Sequence, residues 1–324
     1  MHLGLPKRRR LVAQPLTAST AQLVLLTFTT AVLLAFVFAG CGGSEAGGPS
    51  AAPTSGPPTD PGLSPEPVPS ESTAGGPSGD PAEEPIVYLL GGSSARECVV
   101  GNAAWSDEMR ELGAGPIEAM DLGATNRSYS QDIRYVRHMD RSRPTVVLIG
   151  INLGRYTFAP SPNQKDKPVT ADELAGLAGT IDLKHRYTVD MVLSDGEKRD
   201  MLDQWLAERY ELFRRYYDGN QALLAELIDA CRERGFHVAL VDLPMNEEIV
   251  GDRLDTPRGT YLEDCRRLAA RKQIAFFSFA DDIGLVNRDF YDLVHLVGPG
   301  REKWQTRLSR EVVKLMRAEG LAPV

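Results

Sequence analysis

The pattern of apolar and polar positions divides the chain into three parts. From about Ala21 to Phe38 it runs rich in Leu, Val, Ala and Phe without a charge. Residues 42–84 carry almost no large apolar side chain. From Pro85 onward, short apolar runs alternate with stretches of helical spacing. Ile86 to Leu90 forms the first run and stops at Gly91-Gly92. Ile117 to Leu122 is a weaker second. Val146 to Ile149 stops at Gly150, His237 to Val241 is followed by Pro244, and Ile274 to Phe279 is the fifth. Near-continuous apolar strands are what a sheet covered on both faces requires.

Between these runs, Leu224, Leu227, Ile228 and Cys231 recur at helical spacing before Gly235, a basic helix end followed by a capping glycine. Leu262, Cys265, Leu268 and Ala269 repeat the pattern, and a last helix is predicted from about Arg301 to Met316. The alternation predicts an α/β fold: a three-layer α/β/α sandwich on a roughly five-stranded parallel, flavodoxin-like sheet. Sites in such sheets lie at the carboxyl ends of the strands. Residues 155–215 interrupt the rhythm. Their first part is polar with several prolines. An aromatic helix with Leu202, Trp205, Leu206, Tyr210, Phe213 and Tyr217 follows. Its spacing fits a helix packed by its apolar face; the other reading is a cap over the site.

The N-terminal part reads as an address. Lys7, Arg8, Arg9 and Arg10 precede the apolar run and are the only charged residues of the first 40. The run ends in Phe38-Ala39-Gly40-Cys41. Small residues before such a cysteine resemble a bacterial lipobox, with Phe38 where Leu is usual. On that reading the signal peptide, residues 1–40, is removed and Cys41 is lipidated. The alternatives are an uncleaved anchor, since such a run is long enough to cross a bilayer, and plain secretion. In each case the basic flank stays in the cytoplasm and the rest is exported. Residues 41–84, rich in Pro, Gly, Ser and acid, read as a disordered tether. Its mean reach is on the order of 35 Å. It leads into one domain over 85–324.

Composition narrows the classes. Charged residues are 25% and hydrophobic ones 42% of the chain, ordinary globular values, and the formal net charge is −8. Such a mildly acidic domain lacks the basic footprint of a nucleic-acid partner. Of the four cysteines, none stands in a Cys-x-x-Cys spacing, and no phosphate loop or dinucleotide fingerprint is present. No cofactor or metal is expected. Cys231 and Cys265 lie on successive helices and could pair in an exported protein; burial as plain thiols is the other reading.

Polar residues suited to acyl transfer sit at the strand ends. Gly91-Gly92-Ser93-Ser94 follows strand one, Asp121-Leu122-Gly123-Ala124-Thr125-Asn126 strand two, and Gly150-Ile151-Asn152 strand three. Asp292-Leu293-Val294-His295 precedes the last helix, with Gly300 after it. A serine at a strand-to-helix turn exposes its hydroxyl and offers its N–H where negative charge is stabilised. A carboxylate three residues before a histidine can fix its tautomer and steady the imidazolium formed in catalysis. Each piece alone is common; their chain order is not.

That order resembles the block order of the SGNH (GDSL-like) hydrolase superfamily, over roughly residues 86–317. Asp292 to His295 is similar to the family's last block, and Gly150 with Asn152 to its third, although Leu153 stands where Asp is usual. Gly92 stands where the first block has Asp. Gly123 lies in a family-like turn, and Asn126 falls where an oxyanion glycine often sits. The resemblance implies that Ser93 attacks the acyl carbon, with Ser94 the rival nucleophile. It implies that His295 takes the proton and Asp292 orients His295. The oxyanion would be held by the Ser93 N–H, the Asn152 amide and an N–H of Gly123 or Asn126. Arg96 and Glu97, one turn beyond Ser93, read as a helix-surface ion pair or a core-edge contact; alternatively Arg96 binds an acidic group of the substrate. The expected activity is a serine esterase on a small acyl ester or an acylated glycan. The same residues would serve an O-acyltransferase acting on envelope glycans, and a non-catalytic envelope binding protein is the third reading.

Overall fold

The computed structural model describes residues 84–177, 183–279 and 282–323. The basic cluster, the apolar run, Cys41 and the expected tether up to Glu83 lie outside the described residues.

Five parallel strands make the sheet, in the order β2-β1-β3-β4-β5. They are β1 (Ile86–Leu90), β2 (Glu118–Asp121), β3 (Thr145–Ile151), β4 (His237–Asp242) and β5 (Ala275–Phe277). The helices are α1 (Ser93–Arg96), α2 (Asn102–Glu111), α3 (Tyr129–Val136), α4 (Ala171–Leu177), α5 (Asp195–Gln204), α6 (Tyr210–Glu233), α7 (Glu247–Val250), α8 (Asp255–Lys272) and α9 (Gly298–Ala318). Every residue of β1 and β3 is buried, so successive side chains feed opposite layers. Ile86, Tyr88 and Leu90 join the layer built by α3, α6 and α8. Val87 and Leu89 join the one built by α2 and α9. This is the expected α/β/α sandwich. The chain leaves β1 for β2 on one side and returns to β3 on the other, so the order reverses between the carboxyl ends of β1 and β3. A crevice for ligands opens at such a point.

The fifth strand is shorter than its apolar run, and its three residues are only part-buried, as suits the sheet's edge. The aromatic helix takes the plainer of its two readings. Leu202 and Phe213 are buried, and Phe213 and Tyr217 pack against Tyr156, itself 5.7 Å from Tyr261 between ring centroids. A π-helical turn at Trp205–Arg209 joins α5 to α6, so the aromatic stretch and the Leu224–Cys231 pattern form one continuous helical run. Cys231 and Cys265 are buried free thiols. Burial pushes the Cys265 thiol up to about 11, and its sulfur lies 3.2 Å from the Tyr156 hydroxyl. Among the described residues no helix is long and apolar enough to cross a membrane.

Candidate active site

The site begins where β1 ends. A side chain at Gly91 would overlap Ala95, its Cβ 2.6 Å from that of Ala95, so only glycine lets the chain turn directly into α1. Ser93 opens that helix and stays partly exposed, while Ser94 behind it is buried. The Ser93 Oγ lies 2.8 Å from His295 Nε2. On the far side of the ring, Nδ1 lies 2.7 Å from Asp292 Oδ2. Ser94 faces elsewhere: its Oγ accepts from the Asn152 side chain at 3.0 Å.

The loop carrying Asp292 and His295 is held from within. Asp292 Oδ1 accepts the N–H groups of Val294 and His295, both at 2.9 Å. Phe290 bridges to Leu296, and the Tyr291 N–H donates to the His295 carbonyl at 2.8 Å. Gly300 lets α9 close against this loop, since a Cβ there would come 2.5 Å from the Asp289 carbonyl oxygen. Burial alone would raise the Asp292 carboxyl. The His295 ring and the two N–H donors outweigh it and hold the carboxyl below the usual range. An ionised carboxylate accepts only, so the ring proton sits on Nδ1 and leaves Nε2 bare to receive the Ser93 proton.

The expected oxyanion donors are not equivalent. The N–H groups of Ser93 and Asn126 donate to no acceptor among the described residues. For Ser93 this follows from its place at the start of a helix. Asn126 adopts φ +58, the left-handed conformation that glycine takes without penalty and Asn tolerates. Gly123 differs: its N–H donates to Asp121 Oδ1 at 2.6 Å. It is glycine because its Cα packs against the Arg96 backbone, where a Cβ would overlap the Arg96 N and Cα. The Gly123 N–H is thus already engaged, so of the two expected donors Asn126 is the free one. Asn152 is buried at the end of β3. Its Oδ1 accepts the Arg155 N–H at 3.0 Å, capping the following turn, and this turns its NH2 toward α1.

Arg96 and Glu97 do pair, at the edge of the core rather than on the helix surface. Glu97 is fully buried and takes Arg96, Arg301 and the Arg186 N–H on its two oxygens. Arg96 also donates to Thr125 Oγ1 at 2.9 Å, so its guanidinium is tied to the protein rather than presented to a ligand.

Two neighbours of the site carried no signal in the sequence. The segment Leu183 to Leu193 crosses the mouth of the site. His185 Nε2 lies 2.8 Å from the Val99 carbonyl, Arg301 donates to the Tyr187 carbonyl at 2.7 Å, and the Leu193 N–H donates to the Tyr291 carbonyl at 3.1 Å. Tyr187 thereby stacks on Tyr291 at 4.0 Å between centroids and stands 4.9 Å from the His295 ring. A lone tyrosine in a polar stretch has no motif to announce it. Lys198, on α5, is fully buried and donates to the Asn287 carbonyl and side chain and to the Phe290 carbonyl.

A serine, a histidine and an aspartate in hydrogen-bonded series at the switch point of a parallel sheet define the class of centre present, one fitted to acyl transfer. The chain is similar to a number of solved structures, three of which follow. A lipase/acylhydrolase from Enterococcus faecalis is 10% identical over 71% of this chain and 95% of its own, with a TM-score of 0.40. An acetylxylan esterase from Geobacillus stearothermophilus is 14% identical over 71% and 95%, at 0.43. A GDSL-like lipase from Bacteroides thetaiotaomicron is 12% identical over 71% and 87%, at 0.36. Neither a protein-family model nor a curated protein sequence matches the chain.

Proposed function

We propose that this protein is a serine esterase of the SGNH type. The observation that carries the reading is the His295 ring, 2.8 Å from Ser93 Oγ on one side and 2.7 Å from Asp292 Oδ2 on the other. Ser93 attacks the acyl carbon while its proton passes to His295 Nε2. Asp292 keeps Nδ1 protonated and stabilises the imidazolium. The negative charge on the carbonyl oxygen falls to the N–H groups of Ser93 and Asn126 and to the Asn152 amide; loss of one such donor lowers turnover by about 10²–10³. His295 then protonates the departing alcohol, and water repeats the sequence on the acyl-enzyme.

The test is labelling of the domain by a serine-reactive phosphonate, with hydrolysis of p-nitrophenyl acetate, in the parent, Ser93→Ala and Ser94→Ala. The parent and Ser94→Ala are expected to react, and Ser93→Ala to do neither. A parent that neither labels nor hydrolyses the ester overturns the reading. We place the domain outside the cytoplasm, held to the membrane through Cys41 or an uncleaved anchor. Feeding a bacterial host an alkyne fatty acid separates the two: lipidation labels the parent and not Cys41→Ala.

A further inference from the structure

We propose that the esters this site prefers carry a negative charge on their alcohol part, and that Arg186 receives it. The inference rests on the esterase reading and names the substrate class of that site. In acyl transfer through Ser93, the base that takes the proton returns it to the leaving oxygen. The alcohol part therefore lies on the His295 side of Ser93. What borders His295 there is Tyr187, 4.9 Å away between ring centroids, and the Arg186 guanidinium lies 5.7 Å from the Tyr187 ring.

The surroundings separate this arginine from its neighbours. Arg96 and Arg301 are both tied to the buried Glu97. Arg186 uses only its backbone N–H on Glu97, at 2.9 Å. Its side chain is exposed, and among the described residues it has no acidic partner. The backbone beneath it is not loose. His185 is bonded to Val99 and the Tyr187 carbonyl to Arg301, so the backbone that carries the guanidinium is held in place. One ring, that of Tyr187, thus has both the His295 imidazole and the Arg186 guanidinium as neighbours. A planar guanidinium matches a carboxylate or phosphate with paired N–H donors. In a chain of net charge −8, an unmatched cation beside Tyr187 also opposes the general repulsion of anions.

The experiment compares 4-acetoxybenzoate with its methyl ester, using the parent, Arg186→Gln, Arg186→Lys and Ser93→Ala. The two esters differ in a carboxylate on the leaving alcohol, and the ratio of variant to parent for each ester cancels their chemical reactivity. Arg186→Gln is expected to lower kcat/KM for 4-acetoxybenzoate about fivefold through KM, the size an exposed, salt-screened contact supplies, and to leave the methyl ester unchanged. Arg186→Lys should recover part of the loss, and about 0.5 M salt should erase the difference. Equal effects of Arg186→Gln on both esters, with hydrolysis still dependent on Ser93, overturn this inference alone. A parent inactive on both esters overturns the esterase reading and this inference with it. 4-Acetoxyphenyl phosphate in place of the benzoate tells whether a phosphate is received as well as a carboxylate.

Discussion

The Lys198 ammonium lies 3.0 Å from the carbonyl oxygen of Phe290, two residues before Asp292. The same amine holds the Asn287 side-chain oxygen at 2.7 Å. Asn287 in turn meets Asn246, whose Nδ2 reaches the Asp292 carbonyl at 3.2 Å. A helix from the segment that interrupts the α/β alternation thus anchors the loop bearing Asp292. Burying an ammonium is costly unless it is fully hydrogen-bonded, and here three acceptors surround it.

Lys198→Met keeps the length of the side chain and removes its donors, leaving three oxygens without their partner. Stability in urea should fall by about 3 kcal/mol. As the Asp292 loop loosens, kcat should drop with KM nearly unchanged. Lost stability with an unchanged kcat would show that Lys198 supports the fold and does not position the acid.

The two loop residues after β2 should respond in opposite ways. Asn126→Gly suits a left-handed backbone and should retain kcat. Asn126→Val should cost about 1–2 kcal/mol of stability and turn its N–H away, lowering kcat. Gly123→Ala should be worse for labelling than for binding, because the added methyl meets the Arg96 backbone and displaces the helix that starts at Ser93. Phosphonate labelling rates and thermal unfolding of the three variants check this. Parent-like labelling of Gly123→Ala would mean that the helix yields without moving Ser93.

The sheet was legible because buried parallel strands must be apolar along their whole length. Ile86–Leu90 and Val146–Ile149 are such runs; the first ends at Gly91, needed for a close turn, whereas Gly150 lies within β3, where a side chain would press on Leu243. Asp292 and His295 were legible because their contact is local: three residues of separation let one carboxylate take a ring nitrogen and two N–H groups. The role of Glu97 was not. A glutamate next to an arginine reads as solvated, and its burial depends on Arg301 and the Arg186 N–H, distant in sequence. Tyr187 and Lys198 were hidden for the same reason, since their partners lie about a hundred residues away on the last loop. Gly123 and Asn126 could not be separated without the backbone dihedral and the Asp121 side chain.

Asp121 gives a pH dependence whose sign is fixed. Burial pushes its carboxyl up to about 8, against the Gly123 N–H and the charge of Arg127. The folded state therefore keeps a proton that the unfolded chain releases above about pH 4. Stability from this group is lost as pH rises from about 4 to 8. Asp121→Asn keeps the acceptor for Gly123 and cannot ionise. Relative to the parent, it should gain stability at pH 8 over pH 5, measured by urea unfolding at each pH. The slope left in the variant belongs to other groups, among them Asp242, which burial also raises. An offset equal at both pH values would show Asp121 to be ionised in the folded protein.

Asp292→Asn separates orientation from charge. Asp292 Oδ2 accepts from His295 Nδ1, which leaves Nε2 free toward Ser93. An amide turned with its NH2 to the ring would donate to Nδ1 and favour the proton on Nε2, where it blocks the transfer from Ser93. The expected fall in kcat is about 10⁴, with KM nearly unchanged. Asp292→Ala imposes neither tautomer and should lose no more than the amide does. The same residue also acts on stability. Its carboxyl is held below the usual range despite burial, by the His295 ring and the N–H groups of Val294 and His295. A depressed carboxyl contributes stability that is present above the unfolded value and lost as pH falls through the folded one. The stability gap between parent and Asp292→Asn should therefore be widest near pH 7 and narrow below about pH 4. Parent-like kcat in Asp292→Asn would mean that His295 keeps its working tautomer without the carboxylate.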